Sequence, residues 1–249
     1  VWLLNKFLMA KQNLIYGINP VLEALSAGKT FDKIFLQRNI RNERLNEIIS
    51  IAKQNEIPVQ LVPEEKLQRL TTKTHQGVVA FLTGVNFFKL SDVLAQTYEK
   101  GETPLLLIAD KISDVRNFGA IARTAYACGV HAIIIPFSGA AALNEDAVKS
   151  SSGALSKINL CREKDLLVVL KELKLNGIQT LAADGHAAKF VHETDLKIPT
   201  AIIMGSEGEG IEKNILRAVD EIVKLPMTNN FDSYNVSVAA GMILYEAMR

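Results

Sequence analysis

Cysteine is scarce in this chain. Only Cys128 and Cys161 occur in 249 residues, far apart and without a paired neighbour. That spacing excludes a disulfide framework and gives no zinc-ligand pattern, so no metal is expected and a reducing cytoplasm is the expected compartment. No apolar run approaches the length that crosses a bilayer, so no membrane attachment is expected. The first residues, Val1 to Met9, are apolar but have neither a basic leader nor an uninterrupted core, so they make a poor signal peptide. Met9-Ala10 resembles a natural start, and residues 1–12 are read as an extension of which 1–10 are dispensable. Net charge is nearly absent, with 28 basic against 27 acidic residues. The balance is uneven along the chain: residues 1–100 hold 13 basic and 9 acidic residues, and 101–249 hold 15 and 18. A mildly basic front and an acidic back suit a polyanion-binding module joined to a catalytic one. The Gly-x-Gly-x-x-Gly dinucleotide fingerprint and the Gly-Lys-Ser/Thr phosphate loop are both missing.

What is present is a soluble α/β pattern, with 48% hydrophobic and 22% charged residues. In the front part, helices are expected over Val21–Leu25 (Asn19 as cap, Pro20 at the first position), Leu45–Gln54 and Glu64–Leu70. They alternate with strands over Phe31–Leu36, Val59–Val62 and Val78–Leu82. Residues 13–83 therefore form one small α/β domain, whose Lys33, Arg38, Arg41, Arg44, Arg69 and Lys73 offer a basic surface or ordinary solvated charge. Residues 84–103, with a short helix from Ser91, read as a linker. Residues 104–249 form a second domain. It starts with a buried strand, 104–110, a loop to Phe118, a helix from Gly119 to Gly129 and a strand over 130–136, which is one βαβ unit. A helix around Asn144–Ser152, an amphipathic helix over Leu166–Asn176 and a strand over Ile178–Ala183 follow. Ala183 stands at the end of its strand, where ligands of α/β sheets bind, and is assigned to the cofactor. His186, just beyond, reads better as a surface turn than as a ligand.

The most informative stretch is 200–249. An apolar strand, Thr200 to Met204, runs into Gly205-Ser206-Glu207-Gly208-Glu209-Gly210. A helix near Ile211, a strand over 221–226, a polar loop from Met227 to Ser233 and a closing helix over Asn235–Met248 come next. A strand entering glycines and then a helix is a place where ligands meet backbone. Glu207 and Glu209 would repel a phosphate, so the loop suits a cationic or neutral ligand. S-adenosylmethionine fits, and ATP and NAD fit less well. An αL turn with solvated glutamates is the plainer alternative.

Three segments carry a family resemblance. Asn117-Phe118-Gly119 through Arg123 resembles the first motif of the SpoU branch of the SPOUT RNA methyltransferases. Met204 to Gly210 resembles the second, and Leu225-Pro226-Met227 with Ser233 to Ala239 the third. Where the family often has Asp-Pro-x-Asn, this chain has Asp114-Val115-Arg116-Asn117. Tyr16-Gly17-Ile18 and His75-Gln76-Gly77 resemble the two ends of the family's substrate-binding domain, itself similar to small ribosomal RNA-binding proteins. The resemblance implies a deep trefoil knot, a mostly parallel sheet and a homodimer that uses the last helix. It also implies methyl transfer from S-adenosylmethionine to a ribose 2′-hydroxyl of RNA, most closely a guanosine of 23S rRNA. A tRNA ribose methyltransferase and a non-catalytic RNA-binding or ribosome-assembly factor are the alternatives. Arg123, Asn117, Glu207, Asn235 and Ser237 match catalytic positions, and Met204, Gly205, Gly210, Leu225 and Tyr234 match positions that hold the cofactor. Arg123 is too weak an acid to serve as an ordinary base. Its expected work is to hold the phosphate beside the target ribose and stabilise a developing alkoxide. Asn235 and Ser237, at a helix start, are also expected to cap backbone N–H groups.

Overall fold

The structure is a computed structural model and describes residues 13–39, 42–228 and 233–249. The expectations for residues 1–12, for Arg41 and for the middle of the 227–233 loop lie outside the described residues. The chain divides into two compact units, one ending at Gly84 and the other running from Val85 to Arg249.

Among the described residues of the first unit, four strands form one sheet: β1 (Leu14–Tyr16), β2 (Phe31–Gln37), β3 (Val59–Val62) and β4 (Val78–Leu82). Their order is β1-β4-β2-β3. β4 runs antiparallel to both neighbours, and β2 and β3 are parallel. Helices α1 (Ile18–Ser26) and α2 (Glu43–Gln54) bury Val21, Leu22 and Ile48 against one sheet face. The short α3 (Glu64–Leu70) sets Leu67 against Phe35, Val62 and Val79 on the other. α1 starts earlier than its Asn-Pro pair implied. Gly17 is the cap residue, at φ 88, and the Ile18 N–H is donated to Gln76 Oε1 at 3.0 Å. A side chain 58 residues away thus satisfies an orphan donor of the first turn, and Pro20 sits where its missing N–H costs nothing. The two landmark tripeptides therefore meet in space. His75 has a local task too, since its Nδ1 accepts the Gly77 N–H at 3.1 Å.

Among the described residues of the second unit, seven strands form one parallel sheet. Its strands are β5 (Leu105–Ala109), β6 (Ala132–Pro136), β7 (Asn159–Glu163), β8 (Gln179–Ala183), β9 (Lys189–Phe190), β10 (Thr200–Met204) and β11 (Glu221–Lys224). The order is β7-β6-β5-β10-β8-β11-β9, so β10 lies between two strands that precede it in sequence. Helices cover both faces, which is why the inner strands are nearly continuous apolar runs. On one face α5 (Val115–Ala127), α6 (Glu145–Ser150) and α9 (Val236–Met248) pack Ile121, Ala147, Ala240 and Leu244 onto Leu107, Ile133 and Ile202. On the other, α4 (Leu90–Glu99), α7 (Leu166–Leu175) and α8 (Lys213–Ala218) pack Leu94, Leu170, Leu173 and Ile215 onto Leu106, Ile108 and Ile203. None of the described helices is long and apolar enough to cross a membrane.

Several features of this unit differ from the expectation. Residues 84–103, expected as a connector with a short helix from Ser91, carry α4, whose Leu90, Val93 and Leu94 are at most 3% exposed in the second unit's core. The spacing i, i+3, i+4 gives that helix its apolar stripe. β7 was not anticipated, because Asn159 to Glu163 mixes polar and apolar residues as edge strands do. Helix α5 begins four residues before Gly119. Asp114 caps it, its Oδ1 accepting the N–H groups of Arg116 at 2.9 Å and Asn117 at 2.8 Å.

Candidate active site

The candidate site lies at the carboxyl ends of the strands in the second unit. β10, β8 and β11 are neighbours, with Ile203 opposite Ala182 and Ala183 opposite Val223. That register brings Met204, Ala183 and Leu225 to one sheet edge. Met204 is buried in the core beneath it, with Ala183 and Leu225 partly buried against the same cluster.

Beyond Met204 the chain makes a tight turn. Ser206 and Gly210 exchange backbone hydrogen bonds of 3.1 and 3.0 Å. Gly208 and Gly210 have φ of 90° and 69°, the left-handed region that disfavours other residues. Gly205 is needed for a different reason. A Cβ there would fall 2.2 Å from the Gly210 carbonyl carbon and 2.4 Å from the Ile211 nitrogen, because the exit of the turn lies directly on it. The glycines of this motif are therefore first of all demands of the turn itself. Gly119 has an equally local reason: a Cβ would meet Ser150 Oγ at 2.1 Å, so α5 and α6 touch there.

The three motif segments converge on one amide. Asn235 Nδ2 donates to Glu207 Oε1 at 2.6 Å and to Asn117 Oδ1 at 3.1 Å. Asn235 Oδ1 accepts from Ser237 Oγ at 2.6 Å and from the Ser237 N–H at 3.0 Å, which caps α9. Rotating the amide by half a turn would set its oxygen against two acceptors, so the network fixes its orientation. Tyr234 OH donates to the Pro226 carbonyl at 3.0 Å, bracing the approach to this amide. Arg123 lies six residues after Asn117 on α5, about 9 Å further along the axis. It is exposed, and its side chain makes no hydrogen bond or ion pair with another described residue. The structure thus unites Asn117, Glu207, Asn235 and Ser237 directly and keeps Arg123 on the same helix as Asn117. Gly210 serves the turn, and Tyr234 braces the chain.

One residue escaped the sequence reading. Asp110, just past β5, is 1% exposed. Its N–H donates to the Met204 carbonyl at 2.8 Å, and its Oδ2 accepts the Glu212 N–H at 2.9 Å. Burial pushes its carboxyl above the ordinary value, against the opposing effects of that N–H and of Lys111. A carboxylate ending an otherwise apolar strand was the available signal. Lys111 follows at φ 53 and pairs with the Glu212 carboxylate at 2.7 Å. His186 is a surface turn residue, its side chain 97% exposed and its N–H donated to Asp184 Oδ1. The cysteines are not poised for nucleophilic work, since burial pushes Cys161 up to about 12 and Cys128 in the same direction. Among the described residues no group of three His, Cys, Asp or Glu side chains is placed to hold a metal.

Comparison with known proteins gives the family of the chain. Residues 104–245 match the SpoU rRNA Methylase family, and residues 14–88 match the RNA 2′-O ribose methyltransferase substrate-binding family. The chain belongs to the SpoU/TrmH family of RNA 2′-O-ribose methyltransferases. A Bacillus subtilis protein provisionally named TrmH family tRNA/rRNA methyltransferase YacO is 35% identical over 239 residues, covering 96% of each chain. Among solved structures, the SpoU methyltransferase AviRb of Streptomyces viridochromogenes, crystallised with AdoMet, shares the fold. Its TM-score is 0.60 at 23% identity, over 94% of this chain and 88% of that one. The TrmH/SpoU tRNA-modifying enzyme of A. aeolicus is 29% identical, with a TM-score of 0.54, over 64% of this chain and 82% of that one.

Proposed function

We propose that this protein transfers the methyl group of S-adenosylmethionine to the ribose 2′-hydroxyl of a guanosine in 23S rRNA, in the cytoplasm. The observation that carries the reading is the Asn235 amide, which ties the first, second and third motifs into one site. The residues present fit this donor. Glu207 and Glu209 give the turn a negative rim, which favours an amine and a sulfonium over a phosphate. Leu225 and Met227 make no backbone hydrogen bond to another described residue, so their main-chain groups are open to an adenine edge. Met204, Gly205, Gly210, Ala183, Leu225 and Tyr234 then hold the donor, largely through backbone and shape. S-adenosylmethionine supplies an electrophilic methyl group when bound.

The rest is the work of the chain. A ribose hydroxyl is a poor acid, so its ionisation must be assisted and its oxygen held in line. Arg123 supplies a guanidinium cation with five N–H donors. It binds the phosphate next to the target ribose and offsets the charge that grows on the 2′-oxygen. Asn235 already uses both Nδ2 hydrogens and receives two bonds at Oδ1, so it is a strut rather than a substrate ligand. Asn117 keeps its own Nδ2 and Glu207 its second oxygen, and these are the groups that reach the ribose. Ser237 locks the strut.

The substrate-binding unit supplies the grip on RNA, with Lys33, Arg38, Arg44, Arg69 and Lys73 as its cations. We further assign to the second unit the trefoil knot of its family and a homodimer through α9. Val238, Met242 and Tyr245 form an exposed apolar stripe at i, i+4, i+7 on that helix, which supports a second copy as its cover. The tRNA reading is the second one, favoured by the A. aeolicus enzyme's being a tRNA-modifying protein. Mapping ribose methylation in cells that lack the protein decides between them. The expected outcome is one missing 2′-O-methylguanosine in 23S rRNA and an unchanged tRNA pattern; a loss confined to tRNA would reverse the assignment. A non-catalytic assembly factor would leave both maps intact and bind no S-adenosylmethionine in calorimetry.

A further inference from the structure

Glu212, where the glycine turn leaves for α8, is held twice by the end of β5. Its N–H is donated to the buried Asp110 Oδ2 at 2.9 Å, and its carboxylate meets Lys111 Nζ at 2.7 Å. Asp110 is itself tied to β10 through its N–H on the Met204 carbonyl. The other end of the turn is fixed at Gly205, on which Gly210 and Ile211 rest. A loop clamped at both ends has one remaining freedom, the height of its tip above the sheet. The tip carries Glu207, which holds Asn235 Nδ2 at 2.6 Å.

We propose that Asp110 is a positioning residue for the methyl donor. By holding the Glu212 N–H it sets the level of the acidic glycine rim and, through Glu207, the angle of the Asn235 amide. The assignment rests on the S-adenosylmethionine reading given above. Its motive is physical. An aliphatic residue would fill this place in the core at no electrostatic cost, yet the fold keeps a carboxyl that burial disfavours in its charged form. What the carboxyl gives in return is a bond to backbone, one that an apolar side chain cannot make.

The test is isothermal calorimetry of S-adenosylmethionine on the full chain, with thermal denaturation in parallel. Asp110→Ala leaves the Glu212 N–H without its partner and is expected to weaken donor binding about tenfold or more. Asp110→Asn keeps an acceptor oxygen at the same place and is expected to bind within about twofold of wild type, the rescue that a mere loss of packing would not show. Glu212→Pro removes the same N–H from the other side, and Glu212 already sits at φ −58, close to the proline angle. It should reproduce Asp110→Ala, and it stands in for that variant if the latter does not fold. Glu212→Ala keeps the N–H and loses only the Lys111 pair, and should bind like wild type. Equal affinities for wild type, Asp110→Ala and Glu212→Pro would overturn the role of Asp110. So would an Asp110→Asn as weak as Asp110→Ala. A wild-type protein that binds no S-adenosylmethionine would instead remove the donor reading on which the inference stands.

Discussion

At the amino ends of the parallel strands, polar groups are answered within the protein. Asp220 Oδ2 accepts the Thr180 hydroxyl at 2.6 Å and the Thr180 N–H at 2.9 Å, and Lys174 reaches its other oxygen at 3.0 Å. His131 Nδ1 accepts the Leu105 N–H, its Nε2 faces Glu102 at 3.2 Å, and Asn159 donates to its carbonyl. Glu221 takes bonds from Lys189 and Thr194. At the carboxyl ends of the same strands, the chain leaves the sheet through glycines and exposed carboxylates. There Glu209 and the backbone of Leu225 and Met227 keep hydrogen-bonding capacity to spare among the described residues. The amino end of the sheet is spent on its own cohesion, while the carboxyl end, beside its internal bonds at Asp110, Lys111 and Asn235, keeps capacity for a ligand. This is the asymmetry by which open α/β sheets place their sites.

That contrast can be broken by substitution. The largest expected effect is Arg123→Ala, on the helix that carries Asn117. Methyl transfer to RNA should fall by about two to three orders of magnitude, while S-adenosylmethionine affinity from calorimetry stays within about twofold. Gly205→Ala comes next. Its Cβ displaces the turn, so donor binding should weaken about a hundredfold, with an overpacking cost of about 1–3 kcal/mol in denaturant unfolding. At the amino end the signs reverse. Asp220→Ala strips Thr180 of its partner and should cost about 1–2 kcal/mol of stability, at the low end because that side chain is 38% exposed. Donor affinity should not change; a change of fivefold or more would erase the distinction between the two ends.

The smallest effect is the pH dependence, in which the two aspartates oppose each other. Burial alone would raise Asp220, but the Thr180 and Lys174 bonds outweigh it and hold its carboxyl below the ordinary value. Its contribution is therefore complete above the unfolded value of about 4 and is lost as pH falls through the lower folded value. Asp110 is raised, so its contribution is present below about pH 4 and lost as pH climbs through the folded value. In melting curves taken from about pH 3 to about pH 7, Asp220→Asn should blunt the acid loss of stability. Asp110→Asn should blunt the loss on the ascending side.

The sequence made the architecture legible where apolar runs and glycines agree. Thr200 to Met204 read as a buried strand from its β-branched residues and the glycines that follow, and the helix over 166–175 showed its stripe and its terminal glycine. It was less legible where polar side chains set the boundaries. Asp114 starts α5 four residues before the glycine that seemed to open it, and Gln76 caps α1 from another part of the chain. No local pattern announces a cap that far away. The site divides in the same way. Asn117, Glu207, Asn235 and Ser237 were nameable from motifs, but that Asn235 is saturated and Asp110 buried beside them depends on distances no spacing encodes. The reasons for Gly119 and Gly205 were also hidden, since each answers a neighbouring backbone or side chain rather than a ligand.

The place of β10 bears on how this protein comes into being. The central strand of the larger sheet is residues 200–204, and both its neighbours, β5 and β8, are made before it. Until the ribosome has delivered residues 200–204, Leu106 to Ile108 and Leu181 to Ala182 have no partner between them. Such distant pairing is slow to form and leaves apolar edges open while it waits. A nascent chain stalled before Thr200 should therefore be a far better client for a chaperone than one stalled after Lys224.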